Sequence, residues 1–448
     1  RCGGTVALAS GATQTGFGRT GTVDWITTPK VTGDSPVTGE SGKGYFMNTT
    51  AGAITLNLPA GVAGAIVSAA DYASTWQTNS LTISANGSEK IGGSTIDVTL
   101  NTKGQSVTLV YVDSTEGWIT TADSTENVKG SEFICASVSG ACNTLVTAPC
   151  CANAKIATFT GPGSFIVNAA AVSAANNIVS HLIVAGGGSG GVGCSGGGGG
   201  AGGFREVKSP VTPYTASPLD GYPSAPNRVT LTAQTYAVVV GGGATGQATG
   251  PNGNNTDGTR GSNSSFGGII STGGGAGGDG PAGPEGPGGS GGGGGHSSGT
   301  AGNGNTPPVS PAQGQNGRPS QPTVGPAPSD AGGAGGGATA AGTCGSAGHQ
   351  GGAGATTSIS ASATTYAGGG GGSNRCGGSA PDVAGGSGGG GKGAAGPRPR
   401  PAADSTGANG TDNTGGGGGA GGSLSSGGNI GGTGSGGSGI VIIRYKFQ

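Results

Sequence analysis

The chain has 448 residues, of which 110 are glycine and 9% are charged, with 19 basic side chains against 20 acidic ones. That balance leaves no basic footprint for nucleic acid, and no apolar run in the sequence approaches the length of a membrane span. Large aliphatic residues are too few to build an ordinary core along the whole length, the blocked glycines exclude collagen, and the low charge argues against solvated disorder.

Residues 1–22 are small and polar and make no clear element. The chain begins at Arg1 and its one methionine is Met47, so a segment is expected to have been removed or left out. From Val23 to about Thr121 the composition changes. Short segments rich in Val, Ile, Thr and Tyr predict strands at Val23–Thr27, Gly44–Asn48, Ala53–Leu58, Ile66–Ala70, Leu81–Ser84, Thr95–Leu100, Ser106–Tyr111 and Gly117–Thr120. Turn signals such as Asn86-Gly87 and Gly92-Gly93 separate them. This spacing predicts an antiparallel β-sandwich over residues 23–122, with Trp25, Trp76 and Trp118 in its core.

Residues 123–154 read as a connector carrying Cys135, Cys142, Cys150 and Cys151. A β-framed glycine-rich domain is expected over 155–448. Its frame would come from a hairpin in 155–167, a strand over Asn177–Ala185, strands at 228–233 and 236–240, and the β-branched GIVIIRYKF at 439–447, with His181–Ala185 and Ile440–Tyr445 as neighbours. Between them run glycine blocks at 186–203, 241–250, 267–295, 331–354, 367–397 and 415–439. Glycine runs can order as extended helices of three residues per turn. Packed side by side without Cβ atoms, their N–H and C=O groups pair between neighbours. The fold class predicted is therefore mainly β, with polyglycine II-like helices in the second domain. The glycine-poorer segments 251–266, 296–330, 355–366 and 398–414 read as the turns where runs reverse.

Catalytic patterns occur here by composition alone. Gly188 to Gly193 fits G-x-G-x-x-G and Gly187 to Gly191 fits G-x-S-x-G, but no helix can follow in GCSGGGGGAGG. Gly391-Lys392-Gly393 lacks the hydroxyl residue of a phosphate loop. With three histidines and scattered acids, no catalytic residue, cofactor or metal is expected, and no enzyme activity. The eight cysteines lack zinc-type paired spacing, and disulfides are favoured over metal. Cys135–Cys142 is the expected local pair; Cys194 could reach Cys344 or Cys376, and Cys150 and Cys151 remain candidates, with buried free thiols as the bland alternative. The N-x-[ST] matches at Asn48, Asn86, Asn254, Asn263 and Asn409 are expected by chance.

Two stretches resemble known modules. Residues 23–121, through VDWITTPK, GKGYFMNTTAGAITLNLPAG, LTISANGSEKIGG and SVTLVYVDSTEGWITT, resemble a β domain of tailed-bacteriophage virion proteins. Residues 155–448, through TFTGPGSFIV, HLIVAGGGSGG, GGGGGAGGFRE, AQTYAVVVGGGATG, NSSFGGIISTGGGAGG and SGGSGIVIIRYKF, resemble the glycine-rich domain at the ends of phage tail fibres and in some bacterial surface proteins. The resemblance implies an extracellular virion protein, a homotrimeric tail-fibre or other fibre component. Its partners would be other virion proteins and a host polysaccharide or outer-membrane protein, with no nucleic acid and no membrane insertion. The Pro-rich insert 306–328 and the cysteine number depart from the pattern. Receptor contact would fall on Asn252, Asn254, Asn255 and Arg260, on Gln313, Gln315, Asn316 and Arg318, on Tyr366, and on Arg398 and Arg400; each of these taken singly could merely solvate a loop. Phe204, Arg205 and Glu206 would anchor the base of the bundle. The alternative is a secreted bacterial surface or matrix protein that assembles into a filament or coat.

Overall fold

The computed structural model describes residues 23–124, 133–149, 152–171, 173–193, 195–248, 250–251, 256–279, 286–296, 299–320, 331–345, 348–373, 382–394, 405–422 and 429–448. The protein is mainly β and falls into two compact units, residues 1–129 and 130–448.

The first unit holds nine strands: β1 (Asp24–Val31), β2 (Val37–Thr38), β3 (Lys43–Asn48), β4 (Ile54–Asn57), β5 (Ile66–Asp71), β6 (Leu81–Ser84), β7 (Val98–Leu100), β8 (Ser106–Asp113) and β9 (Gly117–Ser124). All eight expected strands form, and β2 is additional. The antiparallel expectation needs correction. Strands β1 to β6 alternate between two sheets, ordered β1-β3-β5-β8-β9 and β2-β4-β6-β7. Strands that return to the same sheet after a crossover run parallel, as β1, β3 and β5 do, and likewise β2, β4 and β6. The antiparallel pairs are β5 with β8, β6 with β7, and β8 with β9. Strand spacing alone does not distinguish a hairpin from such a crossover.

Both sheets contribute to one core, with Tyr45, Met47, Val67 and Leu109 from the first and Ile54, Leu56, Leu81 and Ile83 from the second. Trp76 and Trp118 are fully buried in it, whereas Trp25 is 39% exposed. The indole of Trp25 instead lies over Gly44, where an added Cβ would come within 2.7 Å of its ring, and stacks on Phe46 at 4.8 Å.

The second unit adds β10 (Cys135–Ser139), β11 (Thr144–Thr147), β12 (Ala154–Phe159), β13 (Gly163–Ala169), β14 (Ile178–Val184), β15 (Phe204–Val207), β16 (Val229–Thr230), β17 (Thr235–Val239), β18 (Gly250–Pro251), β19 (Ser264–Phe266), β20 (Ile269–Ser271), β21 (Thr343–Gly345), β22 (Gly348–Gln350), β23 (Ala355–Thr357), β24 (Thr364–Tyr366), β25 (Asn429–Ile430) and β26 (Ile440–Lys446). Its frame is two sheets, β11-β12-β26-β14-β15 and β10-β13-β17-β19-β20. The expected neighbours pair antiparallel, from Ser180↔Arg444 to Val184↔Ile440.

The near-continuous apolar text of β26 now has its reason. Val441, Ile443 and Tyr445 enter one core with Phe159, Phe165 and Phe266, while Ile440 and Ile442 enter another with Leu182, Phe204, Ile359 and Tyr366. A strand buried on both faces loses the apolar–polar alternation. Residues 133–149 are no mere connector, because β10 pairs with β13 and β11 with β12.

Candidate functional site

Beyond the frame, the glycine runs pair through backbone groups in a three-residue repeat. In the run leaving β14, residues 186, 189 and 192 donate to the carbonyls of 262, 259 and 256, at 3.0 to 3.1 Å. Residues 187 and 190 donate to 437 and 434, and residues 188 and 191 to 200 and 197. Its own carbonyls accept from Gly274 and Gly277, from Ala244, and from Gly418 and Gly421. Six segments therefore surround this one run.

Residues 197–203, which lead back to β15, repeat the pattern. Gly197, Gly200 and Gly203 donate to 278, 275 and 272; Gly198 and Ala201 to 333 and 336; Gly199 and Gly202 to 418 and 415. Seven consecutive N–H groups are thus satisfied by three different partners in rotation. A strand would alternate two ways and a helix would bond to itself, whereas here the partner segment changes at each residue and recurs at every third. The close approach explains the composition. A Cβ built on Gly197, Gly198, Gly199 or Gly200 would meet a neighbouring carbonyl oxygen far inside the 3.0 Å that real Cβ atoms keep.

The candidate contact residues do not gather into one site. Two candidates sit beside the frame and are corrected. Gln313 is fully buried; its side chain accepts from Thr272 N at 2.9 Å and donates to Pro307 O at 3.0 Å, while its carbonyl accepts from Phe204 N. Tyr366 is 4% exposed and packs in the core beneath Phe204. Segment 355–366 is thus a hairpin held against the frame, with Ser358 N donating to Thr215 O.

Arg260 and Asn316 are exposed, and Gln315 and Arg318 half-buried, along two separate runs. Asn252, Asn254, Asn255, Arg398 and Arg400 lie outside the described residues. So do Cys150, Cys151, Cys194 and Cys376, and nothing is described of the Cys344 side chain. Cys135 and Cys142 are exposed free thiols rather than a bridge. They flank the ends of β10, and at about 3.3 Å per strand residue their Cα atoms are held well beyond disulfide reach.

A buried polar cluster that sequence reasoning missed joins these near turns to the frame. The Glu206 carboxylate accepts from Ser217 N at 2.9 Å and from the Thr357 hydroxyl. Burial nevertheless raises its pKa above the usual carboxylate range. Arg444 reaches Pro213 O at 2.9 Å and Ile359 O at 3.3 Å, and Arg205 donates to Asn227 at 2.8 Å. His181, fully buried beside Phe266, is held neutral, its pKa lowered to about 3 by burial and by the Arg205 charge. The cleft among His181, Arg205, Glu206 and Asn227 has no room for a water molecule. The cluster is a fastening, not a ligand site. The long spacing from Glu206 to Thr357 left no local signal.

Among the described residues no group of His, Cys, Asp and Glu could hold a metal ion, and no helix is long and apolar enough to cross a membrane.

Together, the two-sheet frame and the backbone-paired glycine runs define a β-framed glycine bundle. Residues 160–446 match the glycine-rich domain family, and the chain belongs to that family. A stretch of 78 residues is 36% identical to "Baseplate wedge protein gp10" of Enterobacteria phage T4, covering 17% of this chain and only 13% of that protein.

Proposed function

We propose that this chain is a structural protein of a tailed-phage virion, a fibre component without catalytic activity. It would stand among other virion proteins as a homotrimer, outside the cell. The observation that carries the virion reading is the 78-residue similarity to the T4 baseplate wedge protein; the glycine-rich family match agrees with it. On this reading the first unit is a β-sandwich mounting module, and the runs of the second are polyglycine II-like helices. The three-residue rotation of hydrogen-bond partners and the six neighbours around residues 186–192 support that description.

Such a bundle is stiff because backbone groups, rather than apolar side chains, hold it together. Its turns away from the frame are then free to vary without loss of the lattice, and host attachment is assigned to them. The residues beside the frame are excluded from that role by their burial.

Immunogold labelling of intact particles from the source culture, with antibody against residues 155–448, tests the reading. Label at tail or fibre tips is expected. Label on the capsid keeps the virion assignment and refutes host attachment. Label on cells or free filaments alone overturns the proposal in favour of a surface or matrix protein.

A further inference from the structure

Asn-Gly occurs five times, at Asn86, Asn252, Asn303, Asn316 and Asn409. The dipeptide is chemically labile. The backbone nitrogen of the glycine, once deprotonated, attacks the asparagine Cγ. The new N–Cγ bond closes a succinimide, the Cγ–Nδ2 bond breaks, and Nδ2 leaves as ammonia after taking up a proton from solvent. Water then opens the ring, at either carbonyl, to aspartate or isoaspartate. Reaction requires a glycine N–H that is free to lose its proton and room for the nitrogen to approach.

Four of the five lie in the described residues, and all four asparagines are exposed, so exposure does not separate them. The state of the following N–H does. Gly304 N donates to Asn316 Oδ1 at 2.8 Å, Gly317 N to Gly302 O at 3.0 Å, and Gly410 N to Ser435 O at 2.8 Å. Asn409 is further tied by accepting from Ser435 N at 2.8 Å. Gly87 N makes no hydrogen bond with the described residues. Gly87 sits at φ +58°, with open space where a Cβ would stand. An amide locked in a hydrogen bond reacts only when that bond opens.

We propose that Asn86 is a site of spontaneous modification to aspartate or isoaspartate, and that the hydrogen bonds holding the following amides protect Asn303, Asn316 and Asn409 from the same chemistry. The modification has a structural consequence. The Asn86 carbonyl accepts from Glu89 N at 3.0 Å, and the Glu89 carboxylate accepts from Gly61 N at 2.8 Å and from Trp118 Nε1 at 3.3 Å. Isoaspartate lengthens the main chain within this turn and sets a second negative charge close to Glu89. The modified chain therefore loosens the fastening of Trp118.

Peptide mass mapping of the intact chain, incubated at mildly alkaline pH, is the test. The Asn86 peptide is expected to gain the mass of NH exchanged for O, and to split into aspartate and isoaspartate forms, while the Asn303, Asn316 and Asn409 peptides stay unchanged. In denaturant all are expected to react alike. Gly87→Ala should slow the Asn86 reaction severalfold, and an Asn86→Gln chain should show none at that position. An unmodified Asn86 in the folded wild type, or reaction of Asn316 and Asn409 at the same rate, overturns the proposal.

Discussion

Replacing Gly199 by alanine adds one methyl group at the centre of the bundle, where it meets the Gly188 carbonyl oxygen well inside contact distance. Gly199 N donates to Gly418 O and its own carbonyl accepts from Gly370 N, both at 2.9 Å. Relief requires the run to move away from the one carrying Gly188, which also strains the bonds from Gly188 N to Gly200 O and from Gly191 N to Gly197 O. Each net hydrogen bond is worth about 1 kcal/mol, and each buried group left unpaired costs about 1–3 kcal/mol. Loosening two or three of these bonds gives a destabilisation of about 3–5 kcal/mol.

The control is Gly242, an exposed glycine in another run, where an added Cβ meets nothing within 4 Å. There alanine acts mainly by restricting the unfolded chain, and stabilises by about 0.4–1 kcal/mol. Denaturant unfolding of the two single variants should therefore show shifts of opposite sign. Equal shifts for Gly199→Ala and Gly242→Ala would refute the lattice, because the two substitutions are chemically identical and differ only in what surrounds the methyl.

Other outcomes follow from separate features. Deleting residues 440–448 removes β26 from between β12 and β14; limited proteolysis should then degrade the second unit while the first survives as a resistant fragment. His181 has its folded pKa lowered to about 3 against about 6.5 unfolded, so the unfolded state binds the extra proton between those values. Its contribution is complete above pH 6.5 and is lost as pH falls, by about 2 kcal/mol at pH 5. Glu206, with its pKa raised, acts in the opposite sense just above its unfolded value. The check is thus the difference between wild type and His181→Leu, whose unfolding free energy should lack the His181 part of the acid loss. Gly44→Val should push Trp25 off the sheet, exposing the indole and red-shifting its fluorescence, while Trp76 and Trp118 stay buried.

The strands of the first unit were legible because β-branched runs and glycine turns mark where a chain extends and where it reverses. Their sheet assignment was not, since β3 and β4 look alike in sequence yet belong to different sheets. The frame of the second unit was readable from HLIVA and GIVIIRYKF, whose apolar continuity reports burial on both faces. Residues 133–149 were misread because β10 and β11 carry weak patterns, half-exposed to exposed throughout, and owe their pairing to β13 and β12.

At the candidate site the failure has a single physical cause. Polar residues between glycine blocks read as solvent-facing, but a turn can also lie against the frame, as those holding Gln313 and Tyr366 do. Gln313, Thr357 and Tyr366 face the frame: the Gln313 side chain accepts from Thr272 N, the Thr357 hydroxyl donates to the Glu206 carboxylate, and Tyr366 shares a core with Phe204. Sequence does not reveal which turns lie there, because that requires the partners of each run to be known.

Hydrogen exchange of the backbone amides at residues 197–203 tests the central claim most directly. The lattice predicts slow exchange at all seven positions, each protected by a different neighbouring run in rotation. Fast exchange along the whole stretch, or protection at every second residue as in a strand edge, would contradict it.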